Sequence, residues 1–302
     1  ACSLAKEVYG ENTIFYINTV NNLARYYAAV NDLDNAIEKS ETALTICNKL
    51  GLTSNISYAR SLGHLANFYS QKGDFSTAIN YSEESKPIFK TIFGDNTPGY
   101  VNCLRDLSRY YYHSGDYLNA IEYVESTNQM IQDIVLRAFS YMPSHERFLY
   151  WNWYKDWFYY EIPNFCLRIR TAQMAKIAYN SVLFSKGILL NTDVEERRII
   201  QENDGETSIF LYGELQNARK ELDMLPAGNP EAIIKRDSLT QVIVDLSDQL
   251  SKKSHLFNSF ISKQSVNWVD VRNSLKKGEV AIEFVKVDRE DDCSYIALIL
   301  KK

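Results

Sequence analysis

A period of 42 residues in the first half of the chain constrains the fold more than any other feature of the sequence. Three segments superpose without a gap at this period: 21–44, 63–86 and 105–128. Each contains a leucine, a small residue, a tyrosine, a turn residue, an aspartate and an alanine at the same places. In the first copy these are Leu23, Ala24, Tyr27, Asn31, Asp32 and Ala36. A fixed period of this length is typical of stacked structural units.

Each recurring residue has a physical role in a pair of antiparallel helices. The small residues let the two helices approach closely, while the leucines and tyrosines fill the space between them. Asn or Gly at the turn tolerates the left-handed backbone conformation that ends the first helix. The aspartate that follows caps the second helix by accepting hydrogen bonds from its free N–H groups. The period therefore predicts one helix–turn–helix unit in every 42 residues.

These residues resemble the tetratricopeptide repeat in its longer version. The resemblance implies an α–α superhelix in which the first helix of each pair lines a concave groove. Segment 1–13 aligns with segment 85–97, two periods downstream, so we expect the chain to begin inside the second helix of an earlier repeat. We therefore assign residues 1–16 to the tail of a preceding repeat and residues 17–134 to the repeats themselves.

The region after the repeats is also predicted to be helical. Aromatic residues crowd segment 146–162, which favours a buried helix that closes the end of the solenoid. An aromatic ligand pocket is the alternative. Segment 146–162 and the repeat-like segment 171–190 are together predicted to form one additional helix pair over 135–192. An apolar stripe at three- and four-residue steps then predicts a helical hairpin over 193–265.

A short helix and two strands are predicted at 266–302. Asn267 lies three residues before Asp270 and is expected to cap that helix, and Gly278 follows it. Residues 295–300 are apolar without alternation, which is typical of a strand covered on both faces. We predict a mainly α fold: a tetratricopeptide-type α–α superhelix, then a helical hairpin and a short partial β-sheet that starts an α/β domain.

The end of the sequence resembles a second family. Segments 178–192, 268–285 and 295–300 are similar, in order and in short phrases, to the lead-in of a CHAT domain, the caspase-like peptidase domain found after such repeats. The resemblance implies that 266–302 is the N-terminal fragment of a CHAT-like α/β domain. In that family the catalytic His and Cys follow later strands, so Cys293 is not expected to be the nucleophile.

Charge and composition exclude several classes of function. The formal net charge of −5 over 302 residues argues against a nucleic-acid or membrane-surface role. No apolar run approaches the roughly 20 residues that span a bilayer. The five cysteines are scattered without a CxxC pair, as expected for thiols in a reducing compartment, and we predict a cytoplasmic protein. The four histidines show no metal-binding spacing, so we expect no metal and no cofactor.

The sequence shows no nucleophile paired with a base. Cys103 and His113 are ten residues apart on one predicted helix, which is too far for a hydrogen bond. No Gly-rich phosphate loop or GxSxG motif is present. We therefore predict no catalytic residues and no enzyme activity in these residues. The alternative is the regulatory portion of a caspase-like Cys–His peptidase whose active site lies downstream of this chain.

The tetratricopeptide resemblance implies a binding groove, because ligand peptides in that family contact positions two, five and nine of each first helix. With Gly63, those positions hold four arginines and four asparagines and no acid: Asn18, Asn21, Arg25, Arg60, Asn67, Asn102, Arg105 and Arg109. Asparagine amides pair with a peptide backbone, and arginine forks bind carboxylates. We predict a protein-interaction scaffold for an extended polar or acidic peptide. The alternatives are a groove that is merely solvated or filled by the protein's own missing segments, and a purely structural array.

Overall fold

The computed structural model describes residues 2–94, 97–142, 144–203, 206–225, 266–289 and 292–302, with 235, 238–239, 241–243, 245–246 and 249. The chain divides into two compact units, Ala1–Met130 and Ile131–Lys302. The first unit is helical: α1 (Cys2–Tyr9), α2 (Ile14–Ala29), α3 (Leu33–Lys49), α4 (Ile56–Gln71), α5 (Phe75–Phe93), α6 (Pro98–Ser114) and the first part of α7 (Tyr117–Tyr141).

The predicted turn chemistry is present in all three repeats. The residue between the two helices of each pair has a left-handed backbone: Asn31 (φ 62°), Gly73 (φ 82°) and Gly115 (φ 86°). The next residue is an aspartate that accepts a hydrogen bond from a backbone N–H three residues on. These caps are Asp32 (to Asn35, 3.3 Å), Asp74 (to Thr77, 3.0 Å) and Asp116 (to Asn119, 3.2 Å). The predicted helix pairs are therefore confirmed, together with the residues that separate them.

Consecutive repeats are joined by an aromatic side chain that packs on two alanines. Phe68 of α4 lies in one buried cluster with Ala24 and Ala36 of the preceding pair. One period later, Tyr110 of α6 lies in a cluster with Ala66 and Ala78. Since alanine carries no atoms beyond Cβ, consecutive helix pairs can approach each other closely at these clusters.

The second unit contains the rest of α7 and several shorter elements. These are α8 (Ser144–Trp151), a π-helical turn (Trp157–Glu161), α9 (Ile162–Ile169), α10 (Ala172–Asn203), α11 (Glu206–Asp223), α12 (Trp268–Ser274), β1 (Val280–Arg289) and β2 (Asp292–Lys301). Asn267 and Asp270 form the capping box predicted for α12. The mainly α fold with a small antiparallel sheet is thus confirmed.

The aromatic segment 146–162 is not the single buried helix that its composition favours. Helix α8 ends at Trp151, and a turn separates it from the π-helical turn. The break lets Trp151 stack on Phe158 at 5.1 Å, with Phe184 of α10 beside both rings. Trp153, within the turn, is 78% exposed. Tyr159 and Tyr160 are also exposed, at 45% and 54%, so the segment buries only part of its aromatic residues.

Helix α10 runs without a break through the boundary predicted at 192/193. The first arm of the predicted hairpin corresponds to α11, whose Leu215 and Leu222 pack against Ile243. Most of the second arm lies outside the described residues. The additional helix pair predicted over 135–192 contains α8, the π-helical turn and α9 as well as part of α10, so it is more divided than a simple pair.

The two strands pair in antiparallel register, from Val280 opposite Lys301 to Arg289 opposite Asp292. One face of this sheet is covered, since Val285, Val287 and Leu298 are buried. The opposite face is exposed and carries Ile282, Phe284, Tyr295 and Ile299. The apolar run 295–300 predicted a strand covered on both faces, and in the described part of the chain only one face is covered.

Tyr26 tests how much the aromatic–alanine contact stabilises the repeats. It occupies the repeat position of Phe68 and Tyr110, but it is 65% exposed whereas Tyr110 is 4% exposed. We expect Tyr110→Ala to lower the free energy of unfolding by about 3–5 kcal/mol, because it empties a buried contact. Tyr26→Ala should cost less than about 1 kcal/mol. Urea denaturation followed by circular dichroism measures both, and equal costs for the two variants would contradict the interpretation.

Candidate functional site

The first helices of the three pairs, α2, α4 and α6, contact one another in order and form one surface of the first unit, here called the inner groove. Between α4 and α6 this surface contains a cavity of about 380 Å³, here called the Gly63 cavity. It is lined by Arg60, Gly63, His64 and Asn67 of α4, Ser82, Ser85 and Phe89 of α5, and Gly99, Asn102, Cys103 and Asp106 of α6. The structure thus brings four of the predicted groove positions together: 60, 63, 67 and 102.

The two asparagines of the first repeat have a different role. Asn21 is buried, at 4% exposed, and its Nδ2 donates to Ser61 Oγ at 2.9 Å. One turn earlier, Ser57 Oγ donates to Asn18 Oδ1 at 3.1 Å. These hydrogen bonds join α2 to α4 across the repeat boundary. The Asn21 amide therefore holds two repeats together and does not face a ligand.

The third repeat is less cationic than its sequence suggests. Arg109 is exposed, but its guanidinium forms an ion pair with Asp106 at 2.8 Å. Asp106 is not one of the predicted contact positions, so the count of charges at those positions did not include it. Arg105 is half-buried. Asn67 is exposed and its Oδ1 accepts from Gln71 Nε2 at 2.6 Å. Of the α6 residues that line the Gly63 cavity, the charged one, Asp106, is therefore already paired.

Positive charge is concentrated at the junction of the first two repeats. Arg25 and Arg60 are exposed, and among the residues that the structure describes neither forms an ion pair. His64 lies near both and stacks on Phe68, with ring centroids 6.1 Å apart. Burial, followed by the charges of Arg25 and Arg60, lowers the pKa of His64 to about 4. The imidazole is therefore neutral at physiological pH, and the two guanidinium groups supply the local charge.

The Gly63 cavity contains a thiol, but not an activated one. Burial raises the pKa of Cys103 to about 12, although a contact with Ser85 partly opposes this shift. His64 in the same cavity is held neutral, so the thiolate–imidazolium pair of a cysteine peptidase is disfavoured here. His113, on the same helix as Cys103, stacks on Phe75 at 4.9 Å. Cys2, Cys47, Cys103 and Cys166 are all free thiols.

The side chains of the described ranges do not favour a metal site or a membrane span. In these ranges, no group of three or more His, Cys, Asp or Glu side chains is placed to hold a metal ion. Of the helices that the structure describes, none is both long enough and apolar enough to cross a bilayer.

Comparison with known proteins identifies the repeats. Residues 57–127 match the family model described as tetratricopeptide repeat. Residues 57–127 are thus similar to tetratricopeptide repeats, which are generally protein-interaction scaffolds. The crystal structure of BtubC (BKLC) from P. vanneervenii is similar with a TM-score of 0.51 and 20% identity, over 64% of this chain and 70% of that chain. At this identity the likeness shows the fold alone. No curated protein matches the chain.

Two further solved structures match over more of the chain but superpose less well. Both are of a Podosopora anserina putative kinesin light chain with nearly identical TPR-like repeats. One has a TM-score of 0.36 and 13% identity, over 82% of this chain and 94% of that chain. The other, a variant of that protein, has a TM-score of 0.38 and 15% identity, over 85% of this chain and 97% of that chain.

The low pKa of His64 predicts how stability depends on pH. Since the folded-state pKa is about 4 and the unfolded value is near 6.5, the unfolded state binds more protons between these pH values. Acidification from pH 7 to 4 should therefore destabilise the protein, and His64→Gln should remove part of that loss. Urea denaturation at a series of pH values measures the difference. An NMR titration that places His64 near pH 6.5 would contradict it.

Proposed function

We propose that the first unit is a protein-interaction scaffold that binds an extended, acidic peptide segment along the inner groove. The observation that carries the proposal is the exposure of Arg25 and Arg60, two neighbouring guanidinium groups without an ion pair in the described part of the chain. Asn102 and Asn67, whose Oδ1 accepts from Gln71, are exposed and continue the same surface toward α6.

The chemistry of these groups suits a peptide. An asparagine amide pairs with both the C=O and the N–H of an extended backbone, and a guanidinium fork matches a carboxylate. Exposed ion pairs contribute about 0.2–1 kcal/mol each and neutral hydrogen bonds roughly 0.5–1.5 kcal/mol. The two guanidinium groups and two amides together contribute a few kcal/mol before ordering costs, so these polar contacts alone support weak binding. Because Asn21 and Arg109 are already engaged, we place the acidic residues of the partner at Arg25 and Arg60.

The proposal extends to the partner and the compartment. The partner is a protein or peptide, and neither nucleic acid nor a membrane surface fits a chain with a net charge of −5. Cys2, Cys47, Cys103 and Cys166, which are free thiols in the described part of the chain, are compatible with a reducing compartment, for which we propose the cytoplasm.

Removing the two unpaired arginines tests the charge component. Peptides selected from a random-peptide phage library on the wild-type chain serve as probes, and fluorescence anisotropy measures their affinity. We expect the double variant Arg25→Ala, Arg60→Ala to bind acidic peptides roughly three- to thirtyfold more weakly, and with less dependence on salt. Lys72→Ala is the control, because Lys72 does not line the Gly63 cavity and is paired with Asp34 at 2.7 Å. Equal affinities for all three proteins would contradict the role of the arginines.

A second proposal concerns the second unit: the chain is the regulatory portion of a caspase-like Cys–His peptidase of the CHAT family. It is supported by the exposed apolar face of the sheet, with Ile282, Phe284, Tyr295 and Ile299, which is the surface that further elements of an α/β domain would cover.

The native reading frame separates these proposals. A frame that continues beyond Lys302 into strands followed by a His and a Cys would support the peptidase proposal. A stop codon directly after Lys302 would contradict it and leave the scaffold proposal unchanged.

A further inference from the structure

A second cavity lies in the second unit, between the π-helical turn, α10 and β1, and is here called the π-turn cavity. Its volume is about 310 Å³, at the lower end of the range for sites that hold small molecules. Each of the three elements contributes side chains to its wall. All of these side chains belong to the second unit, so the cavity is separate from the inner groove.

The π-helical turn places two adjacent aromatic side chains in the wall of this cavity. The Ile162 N–H donates to the carbonyl of Trp157, five residues earlier, so this turn is wider than a turn of an α-helix. Phe158 is buried and stacks on Phe184 at 5.3 Å, whereas Tyr159 remains partly exposed. Both residues line the cavity. Turns of this kind are frequent at functional sites, which makes the cavity a candidate for ligand binding.

The floor of the π-turn cavity suits an apolar group. Val182 of α10 and Val285 of β1 line it and are both buried. Ser185, also in the lining, already donates from its Oγ to the Val182 carbonyl at 3.2 Å. Phe284 is 61% exposed, so a ligand in the cavity would cover part of its ring. Removing this apolar surface from water favours binding.

The charged groups of the lining favour an anion. The charged side chains that the structure describes there are two lysines, Lys186 and Lys286. Lys186 pairs with Glu283 at 2.5 Å, and its ammonium group has further N–H donors for a ligand. Burial raises the pKa of Tyr159, while a hydrogen bond with Ser185 and the charge of Lys186 partly oppose this shift. The phenol is therefore neutral at physiological pH and can donate its O–H to an anion.

We propose that the π-turn cavity binds a small organic acid, with a free carboxylate and an apolar, preferably aromatic, body of about ten non-hydrogen atoms. The body lies against Phe158, Val182 and Phe284, where aromatic walls favour a ring. The carboxylate accepts hydrogen bonds from Lys286, Lys186 and the Tyr159 phenol. This inference goes beyond the peptide-binding function proposed above, because it involves no residue of the first unit.

Two matched probes separate the charge of the ligand from its body. Hydrocinnamate and hydrocinnamyl alcohol share a phenyl ring and a short aliphatic chain, and they differ in the carboxylate. Isothermal titration calorimetry with the whole chain measures both affinities. We expect hydrocinnamate to bind with a dissociation constant below about 1 mM and the alcohol to bind roughly fivefold more weakly.

Two substitutions at exposed positions separate the charge of the cavity from its wall. Lys286→Gln removes one positive charge and should weaken hydrocinnamate binding about three- to tenfold, with less than about twofold effect on the alcohol. Phe284→Ala removes an aromatic wall and should weaken both ligands by a similar factor, about threefold or more.

Matched controls come from exposed residues outside the lining. Lys277→Gln removes a lysine charge, and Ile282→Ala shortens an apolar side chain on the same face of β1 as Phe284. Both controls should bind the two ligands as the wild type does. Because all four positions are exposed, all four variants are expected to fold, which urea denaturation checks.

Three results would overturn the inference. The first is no detectable binding of hydrocinnamate to the wild type at about 10 mM ligand. The second is equal affinity of the wild type for the acid and the alcohol, which would exclude a role for the lysines. The third is a loss of binding in Ile282→Ala as large as in Phe284→Ala, which would place the ligand on the open face of the sheet.

Discussion

The structure of the first unit depends on one contact, an aromatic ring packed on two alanines of the preceding helix pair. Phe68 makes this contact with Ala24 and Ala36, and Tyr110 makes it one period later. The absence of atoms beyond Cβ on the alanines sets how closely consecutive pairs approach. Because consecutive pairs are stacked by the same contact, the first helices fall into line, and residues at one position of the period come to lie on one surface. The inner groove is a consequence of this packing.

Features that depend on neighbouring residues were predictable from the sequence. The left-handed turn at Asn31 and the cap formed by Asp32 involve only residues within the same turn of chain. The same is true of the capping box of Asn267 and Asp270. Backbone sterics and unsatisfied N–H groups decide these features locally, so residue type and spacing carry enough information to place them.

Features that depend on distant residues were not predictable in the same way. The hydrogen bond between Asn21 and Ser61 joins residues 40 apart, and it converts an expected ligand contact into a link between repeats. The ion pair of Arg109 with Asp106 is local, but it was missed because Asp106 is outside the contact positions assigned by family resemblance. After the break, Trp151 packs beside Phe184, which lies on another helix. Such contacts are settled by tertiary packing, which the periodic pattern does not contain.

Differences among the three repeats locate the binding chemistry more sharply than their similarities do. Positions that carry the stacking contact repeat because packing allows little else: a small residue must meet an aromatic one. Asn21, Gly63 and Arg105 share one position of the period. This position does not take part in the stacking contact, so that contact does not restrict its residue type. The Asn21 side chain bridges two repeats, and Arg105 is half-buried. Gly63 has no side chain, and a cavity beside unpaired guanidinium groups is open there. The period therefore builds the surface, and the positions at which the copies disagree determine what that surface can recognise.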